Sequence, residues 1–334
     1  MVMKVTVLGG GTWGATLAVL LHENKNEVRV WEFDPAVVDK LSRLRTHPRL
    51  PHLVVPEGME ITNDLREALD GSEAIVCAVP AAHLRTTSQA VAKAGYNNQL
   101  FVICSKGIEQ GTHALLNEVA EQELGPGSSG RIGLLSGPSH AEEVSRRVPT
   151  AITAASSDLA VAEQIRDLFM GPTFRVYTQT DMLGVELAAS LKNVIAIACG
   201  VADGLGFGDN SKAALVTRGL SELLRLGVAM GAKPETFFGL AGVGDLVVTC
   251  MSPHSRNWRF GSLMGQGNTP EQALEHVGMV VEGYYTVRAA VELAQSQGVD
   301  MPITQAVADV LFHGKSVRDM VPILMEREPK SEME

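Results

Sequence analysis

Six residues near the start of the chain, Gly9-Gly10-Gly11-Thr12-Trp13-Gly14, carry glycines at the GxGxxG spacing. They follow an apolar run, Val5-Thr6-Val7-Leu8, and open a segment of helical character, Trp13–His22. In a strand–turn–helix setting this spacing suits a dinucleotide. Gly9 permits the tight turn, Gly11 lets the backbone approach a pyrophosphate, and Gly14 lets the helix pack on the strand. The phosphates would lie at the helix N-terminus, where free N–H groups and the helix dipole favour an anion. The next apolar run, Val28-Arg29-Val30-Trp31, ends in Glu32. A carboxylate there can accept from the adenosine ribose hydroxyls and repels a 2′-phosphate, which favours NAD over NADP. Asp34 could do the same job.

Three later runs end in loops suited to a ligand: Val79-Pro80-Ala81, Cys104-Ser105-Lys106-Gly107 and Leu135-Ser136-Gly137-Pro138-Ser139. Ligands of open α/β sheets bind outside the carboxyl ends of the strands. Lys106 would place a cation in that crevice, and Gly137 and Ser139 would offer N–H and O–H donors. Further on, Lys192 shares an apolar helical row with Ala188, Ile195 and Cys199. Either its ammonium lies at a cleft, where burial lowers its pKa into the range of a useful acid or base, or it snorkels from a helix edge. The segment Gly239-Leu-Ala-Gly242-Val-Gly244-Asp245 allows close backbone approach and then presents one acid. Ser255-Arg256-Asn257 reads as a helix N-cap with a guanidinium in the first turn, where it opposes the dipole. A bound anion would compensate both, so the triple is a phosphate-site candidate or a plain surface cap.

These residues need elements to hold them. Strands are expected at 3–8, 27–32, 74–79, 100–104, 132–135 and 151–155, with short extended pieces at Val54-Val55 and Ile61. Helices are expected at 12–24, 64–70, 83–93 and 112–123. The alternation predicts an α/β, Rossmann-type domain with a mostly parallel sheet over residues 1–178. From 179 to 334 the pattern becomes all-α. A stripe through Leu183, Leu187, Leu191, Val194, Ile195 and Ala198 predicts a helix of about five turns. Helices follow at 212–230, 256–264, 270–276, 283–297 and 302–312.

The 334 residues include 28 Lys+Arg and 38 Asp+Glu, a formal net charge of −10, which argues against nucleic-acid and anionic-membrane partners. Local cations must then dominate any site for a phosphorylated substrate. Cys77, Cys104, Cys199 and Cys250 lie in apolar stretches without CxxC pairing, as reduced core thiols do. The start lacks a signal peptide's pattern, and the longest uncharged apolar stretch, Val194–Ala202, is about half a membrane span. The expectation is a cytoplasmic protein with a small-molecule substrate. The histidines look scattered, and no cluster has metal-ligand spacing.

Taken together, GGGTWG (9–14), SKGIE (105–109), SGPSHAEEV (136–144), ELAASLKNVIAIACG (186–200), GLAGVGDLVVTC (239–250), SRN (255–257) and VEGYYT (281–286) give a chain that resembles the bacterial NAD(P)-dependent glycerol-3-phosphate dehydrogenases over nearly its whole length. The resemblance implies reversible hydride transfer between NAD(P)H and dihydroxyacetone phosphate, giving sn-glycerol 3-phosphate for phospholipid synthesis, by a homodimer. It also implies that Thr12, Trp13, Lys106, Ala141, Arg256, Val280 and Glu282 contact the cofactor. Lys106, Gly137, Ser139, Lys192, Asp245, Ser255, Arg256 and Asn257 would hold the substrate, with Lys192 as proton donor and acceptor. One departure concerns the cofactor: family members often carry Arg or His just after the second strand, where this chain has Phe33 preceded by Glu32. Two rival readings are a two-domain β-hydroxyacid dehydrogenase, which would recognise a carboxylate, and a non-catalytic dinucleotide sensor, which has no use for Lys192 and Asp245 in one cleft.

Overall fold

The apolar runs of the N-terminal half become strands whose side chains are buried on both faces, as a sheet covered by helices requires. The structure is a computed structural model and describes residues 2–329, 331 and 332. The strands are β1 (Lys4–Leu8), β2 (Glu27–Trp31), β3 (Thr46–His47), β4 (Leu50–Val54), β5 (Glu60–Thr62), β6 (Ala74–Cys77), β7 (Leu100–Ile103), β8 (Ile132–Ser136), β9 (Thr150–Ala155) and β10 (Phe174–Gln179). Among them run α1 (Thr12–Glu23), α2 (Pro35–Leu44), α3 (Leu65–Leu69), α4 (Leu84–Ala94), α5 (Leu116–Leu124), α6 (Ala141–Val144) and α7 (Leu159–Phe169). Eight strands make one sheet in the order β10-β9-β8-β7-β6-β1-β2-β5, parallel except where β8 meets β9. Strand β1 sits between β2 and β6, with Val7 opposite Val30 and Val76. Chain order reverses there, so the crevice of the sheet opens beyond Leu8 and Cys77.

The second half is helical: α8 (Met182–Gly204), α9 (Asp209–Ala229), α10 (Pro234–Phe237), α11 (Asp245–Met251), α12 (Arg256–Gly265), α13 (Pro270–Val277), α14 (Glu282–Ser296), α15 (Pro302–Phe312) and α16 (Val317–Met325). By length and composition α8 could cross a membrane, but it is the core of this half, with 89% of its most apolar window buried inside the fold. Helices α9, α11, α12, α14 and α15 pack around it.

Helices α8 and α12 cross closely because small residues face each other. A Cβ on Gly200 would lie 2.1 Å from the Trp258 carbonyl oxygen, and one on Gly261 would lie 2.1 Å from that of Ile197. Gly204 and Gly265 make the same kind of approach one turn further on. Gly200→Ala is therefore expected to push α12 off α8 and to cost about 1–3 kcal/mol or more, since backbone atoms cannot rotate away. Urea unfolding of the variant measures this loss.

The expected elements are present with shifted ends, and several were not foreseen: α2, the β3–β4 hairpin, α6, α7, β10, α10, α11 and α16. Helices α2 and α7 are amphipathic and start behind the caps Asp34 and Asp158, so their signal was available; α6 and α10 span only four residues each, and Pro48 and Pro51 interrupt the hairpin. The helix expected at 112–123 starts at Leu116. Before it the Thr112 hydroxyl accepts from Ala114 N and Ile108 pairs with Leu115, which keeps the chain extended. The glycines of 239–244 do allow close approach, but to the chain itself: a Cβ on Gly242 would meet the Phe237 carbonyl oxygen at 2.1 Å.

Candidate active site

The glycine turn has the shape a dinucleotide needs. Gly9 adopts φ +103° and donates its N–H to Trp31 O at 2.8 Å, and a side chain there would strike Ala78. A Cβ on Gly14 would sit 1.9 Å from the Gly9 carbonyl oxygen, so only glycine lets α1 start this close to β1. Gly11, by contrast, has nothing within 4 Å of a Cβ position. It precedes an α1 N-terminus that has no side-chain cap and no acid in its first turn. Open space beside uncapped N–H groups fits a diphosphate. Thr12 and Trp13 form that first turn, both half-buried. Glu32 faces the same turn: one oxygen accepts from Gly10 N at 2.6 Å and the other from Asp34 N at 3.1 Å. Asp34 itself is the cap of α2, accepting from Ala36 N. Phe33 is 81% exposed.

The loops after β6, β7 and β8 lie at neighbouring strand ends and meet the helical half there. Lys106 donates to Gly137 O at 3.2 Å and to Asp245 Oδ2 at 2.6 Å. Asp245 opens α11, and its other oxygen lies 3.0 Å from Lys192 Nζ. Lys192 also donates to Thr249 Oγ1 at 2.6 Å, and that hydroxyl donates to Asp245 Oδ1 at 3.2 Å. The spacing Asp245, Thr249 puts both on one face of α11. Thr249 was not singled out from sequence, although that i, i+4 pairing with the acid was the available signal. Lys192 is only 5% exposed and Asp245 only 2%, so Lys192 lies in the cleft and does not snorkel.

Burial pulls the Lys192 pKa down to about 8; Asp245 opposes the fall and Lys106 assists it. Burial alone would raise Asp245, but the Lys106 and Lys192 ammoniums outweigh it and hold the carboxyl below the usual range. Two ammoniums on one carboxylate leave the cluster cationic in an acidic protein. His140, which looked scattered, also belongs to this neighbourhood: burial and then Lys192 lower its pKa. Glu186, another charge of α8, does not. It accepts from Asn117 N at the start of α5, and burial pushes its pKa up to about 8.

Ser255 caps α12 as expected, accepting from Trp258 N at 3.2 Å. Asn257 is tied on both sides, donating to Asn193 Oδ1 at 3.0 Å and accepting from Gly283 N at 2.9 Å. Asn193 adjoins Lys192, so this amide pair fixes the Ser255–Asn257 turn against the turn of α8 that carries the lysine. The amide of Asn257 keeps one donor free. Arg256 is half-buried, and among the described residues its guanidinium has no hydrogen bond or ion pair. Burial lowers its pKa, while Glu282 and Glu142 support its charge from beyond ion-pair distance. Ser139 turns its hydroxyl onto Gly137 O at 3.0 Å, and Gly137 has φ +143°. Ala141 is buried at the start of α6. Val280 precedes α14, where Glu282 accepts from Ala81 N at 3.2 Å and so links the helical half to the loop after β6. A mostly apolar cavity of about 620 Å³ lies elsewhere, between α8, α9, α15 and α16, and contains none of these groups.

Comparison with known proteins agrees with this arrangement. Residues 4–162 match the family model described as NAD-dependent glycerol-3-phosphate dehydrogenase N-terminus, and residues 181–322 match the corresponding C-terminus. The chain belongs to this family. The glycerol-3-phosphate dehydrogenase [NAD(P)+] of Enterococcus faecalis is 48% identical over 100% of this chain and 98% of its own length. That of Bacillus pumilus is 46% identical over 99% of this chain and 96% of its own. The crystal structure of glycerol-3-phosphate dehydrogenase from Coxiella burnetii superposes with a TM-score of 0.92 at 36% identity, covering 98% of this chain and 99% of that one. The two family segments meet between Ala162 and Asp181, across α7 and β10, the stretch in which the sheet gives way to the helices.

Proposed function

We propose that this chain interconverts dihydroxyacetone phosphate and sn-glycerol 3-phosphate with NAD(H) or NADP(H), and that residues 1–178 hold the dinucleotide while 179–334 hold the substrate. The observation that carries the reading is a buried lysine, Lys192, held between Asp245 and Thr249, with its neighbour Asn193 bonded to Asn257 next to Arg256, whose guanidinium has no hydrogen bond or ion pair among the described residues. When bound, the dinucleotide supplies or accepts the hydride. The first turn of α1, with Thr12 and Trp13, would hold its phosphates, with Ala141, Val280 and Glu282 lining the remainder. Arg256, Asn257 and the N-terminus of α12 would hold the substrate phosphate. Ser139, Gly137 and Lys106 would position its hydroxyls. Lys192 gives a proton to the ketone oxygen as C2 gains the hydride, and takes it back in reverse. Asp245 keeps Lys192 charged enough to donate, and burial, assisted by Lys106, keeps its pKa low enough to accept. Turnover of dihydroxyacetone phosphate with NADH or NADPH, but not of 3-hydroxyisobutyrate with NAD or NADP, tests the reading; the reverse selectivity, or NADH binding without turnover, would overturn it. The homodimer and the supply of glycerophospholipid synthesis are read from the family resemblance, and the cytoplasmic location from the N-terminal pattern, the cysteines and the short apolar stretches of the sequence.

NADH is expected to serve at least as well as NADPH. Glu32 stands at the turn, and two basic side chains of this region, Arg29 and Arg45, are engaged elsewhere. Arg29 pairs with Glu60 at 2.6 Å, and Arg45 donates to the carbonyls of Pro56 and Met59. About 1.4 kcal/mol of repulsion against a 2′-phosphate already gives a tenfold preference. Glu32→Ser with Phe33→Arg should move the choice toward NADPH. A wild-type kcat/KM tenfold higher with NADPH than with NADH would sink the idea.

A further inference from the structure

We propose that Arg49, at the turn of the β3–β4 hairpin, is a second phosphate-binding guanidinium that faces Arg256 across the mouth of the site. The inference rests on the reading of that site as one for a dinucleotide and a phosphorylated triose. The hairpin leaves the sheet half of the molecule and is fastened on both sides of the cleft. His52 Nε2 lies 2.8 Å from Ser145 Oγ, directly after α6. Arg49 Nη2 donates to Gly278 O at 2.8 Å, at the end of α13 and two residues before Val280. The exposed guanidinium has five N–H donors, and this carbonyl is its only side-chain partner among the described residues.

Arg256 offers the complementary half. Its guanidinium is unpaired among the described residues, and it begins a helix whose dipole it opposes. Arg49 is close enough to disfavour its charge further. Among the described residues neither guanidinium is in direct ion-pair contact with a carboxylate, although Glu282 and Glu142 act on Arg256 from further away, and an anion between two like charges relieves their repulsion. A phosphate does so well, because its oxygens can take forked N–H pairs from two guanidiniums at once. The phosphate has two sources here, the diphosphate of the dinucleotide and the phosphate of the triose.

The test uses the full-length protein with Arg49→Gln, Arg49→Lys and Arg49→Ala. Glutamine can still donate to the Gly278 carbonyl but has no charge, so it separates phosphate binding from docking of the hairpin. Two quantities are read: the Kd of NADH alone, from quenching of protein fluorescence, and the KM of dihydroxyacetone phosphate. With the dinucleotide as source, Arg49→Gln raises the NADH Kd about tenfold or more, and Arg49→Lys restores part of it. With the triose as source, the KM rises by that factor while the NADH Kd stays put. If Arg49→Gln changes neither quantity, or if only Arg49→Ala is impaired and its thermal midpoint falls too, Arg49 is a hairpin fastener and the inference is wrong. Wild-type turnover of dihydroxyacetone phosphate is measured alongside; its absence would defeat the proposed function itself, whatever Arg49 does.

Discussion

Lys192→Ala is expected to lower kcat for dihydroxyacetone phosphate reduction by about 10²–10⁴, the range for loss of a general acid. That is about 2.7–5.4 kcal/mol of transition-state stabilisation. The NADH Kd should hardly change, because the glycine turn and α1 lie outside the Lys192–Asp245–Thr249 cluster. Asp245 keeps Lys106 as a partner in the variant, so the carboxylate is not left bare. A kcat within a few-fold of wild type would make Lys192 structural. The wild-type pH profile gives an independent check. Reduction needs the charged lysine, and its folded pKa is about 8. Reductive kcat/KM should therefore fall as pH rises through about 8. Oxidation of glycerol 3-phosphate needs the neutral amine and should rise through the same window. Profiles that move together in the two directions would contradict the assignment.

Arg256→Ala is expected to raise the KM for dihydroxyacetone phosphate by roughly 10- to 150-fold, the worth of about 1.5–3 kcal/mol for a hydrogen bond to a charged group. Among the described residues nothing bonds this guanidinium, so its donors can serve an anion. Its neighbours Ser255 and Asn257 are held by Trp258 N, Asn193 and Gly283 N, and that frame should survive the substitution. Unphosphorylated dihydroxyacetone, a poor substrate from the outset, should lose far less. Steady-state kinetics on the two ketones decide the matter: equal losses would mean that Arg256 shapes the site without reading the phosphate.

The N-terminal half was the more legible. A glycine turn after a strand is local chemistry, so Gly9, Gly11 and Gly14 carry their meaning within six residues. The runs at β6 and β7 are apolar throughout because both faces are covered, and that too is a property of the segment. The β3–β4 hairpin, β10 and the four-residue helices α6 and α10 were not foreseen, because elements this short or bearing prolines are stabilised by what they pack on, which a single segment does not record. Helices α2 and α7 were missed although each is amphipathic behind an aspartate cap.

By itself the sequence determined the dinucleotide turn, the change from alternating strands and helices to helices alone, the long α8 and the cap at Ser255. Each depends on spacing along one element. Only the tertiary structure decided that Lys106 and Lys192 share Asp245, that Thr249 joins Asp245 in holding Lys192, and that Arg256 has no hydrogen-bond or ion-pair partner among the described residues. Those facts depend on which faces meet. The glycine crossing of α12 on α8 sets the distance between the lysine and the phosphate candidate, and the loops after β7 and β8 meet α11 only when sheet and helices dock. Contacts such as Lys106 to Asp245, 139 residues apart, have no local signature, because backbone geometry brings them together and periodicity does not.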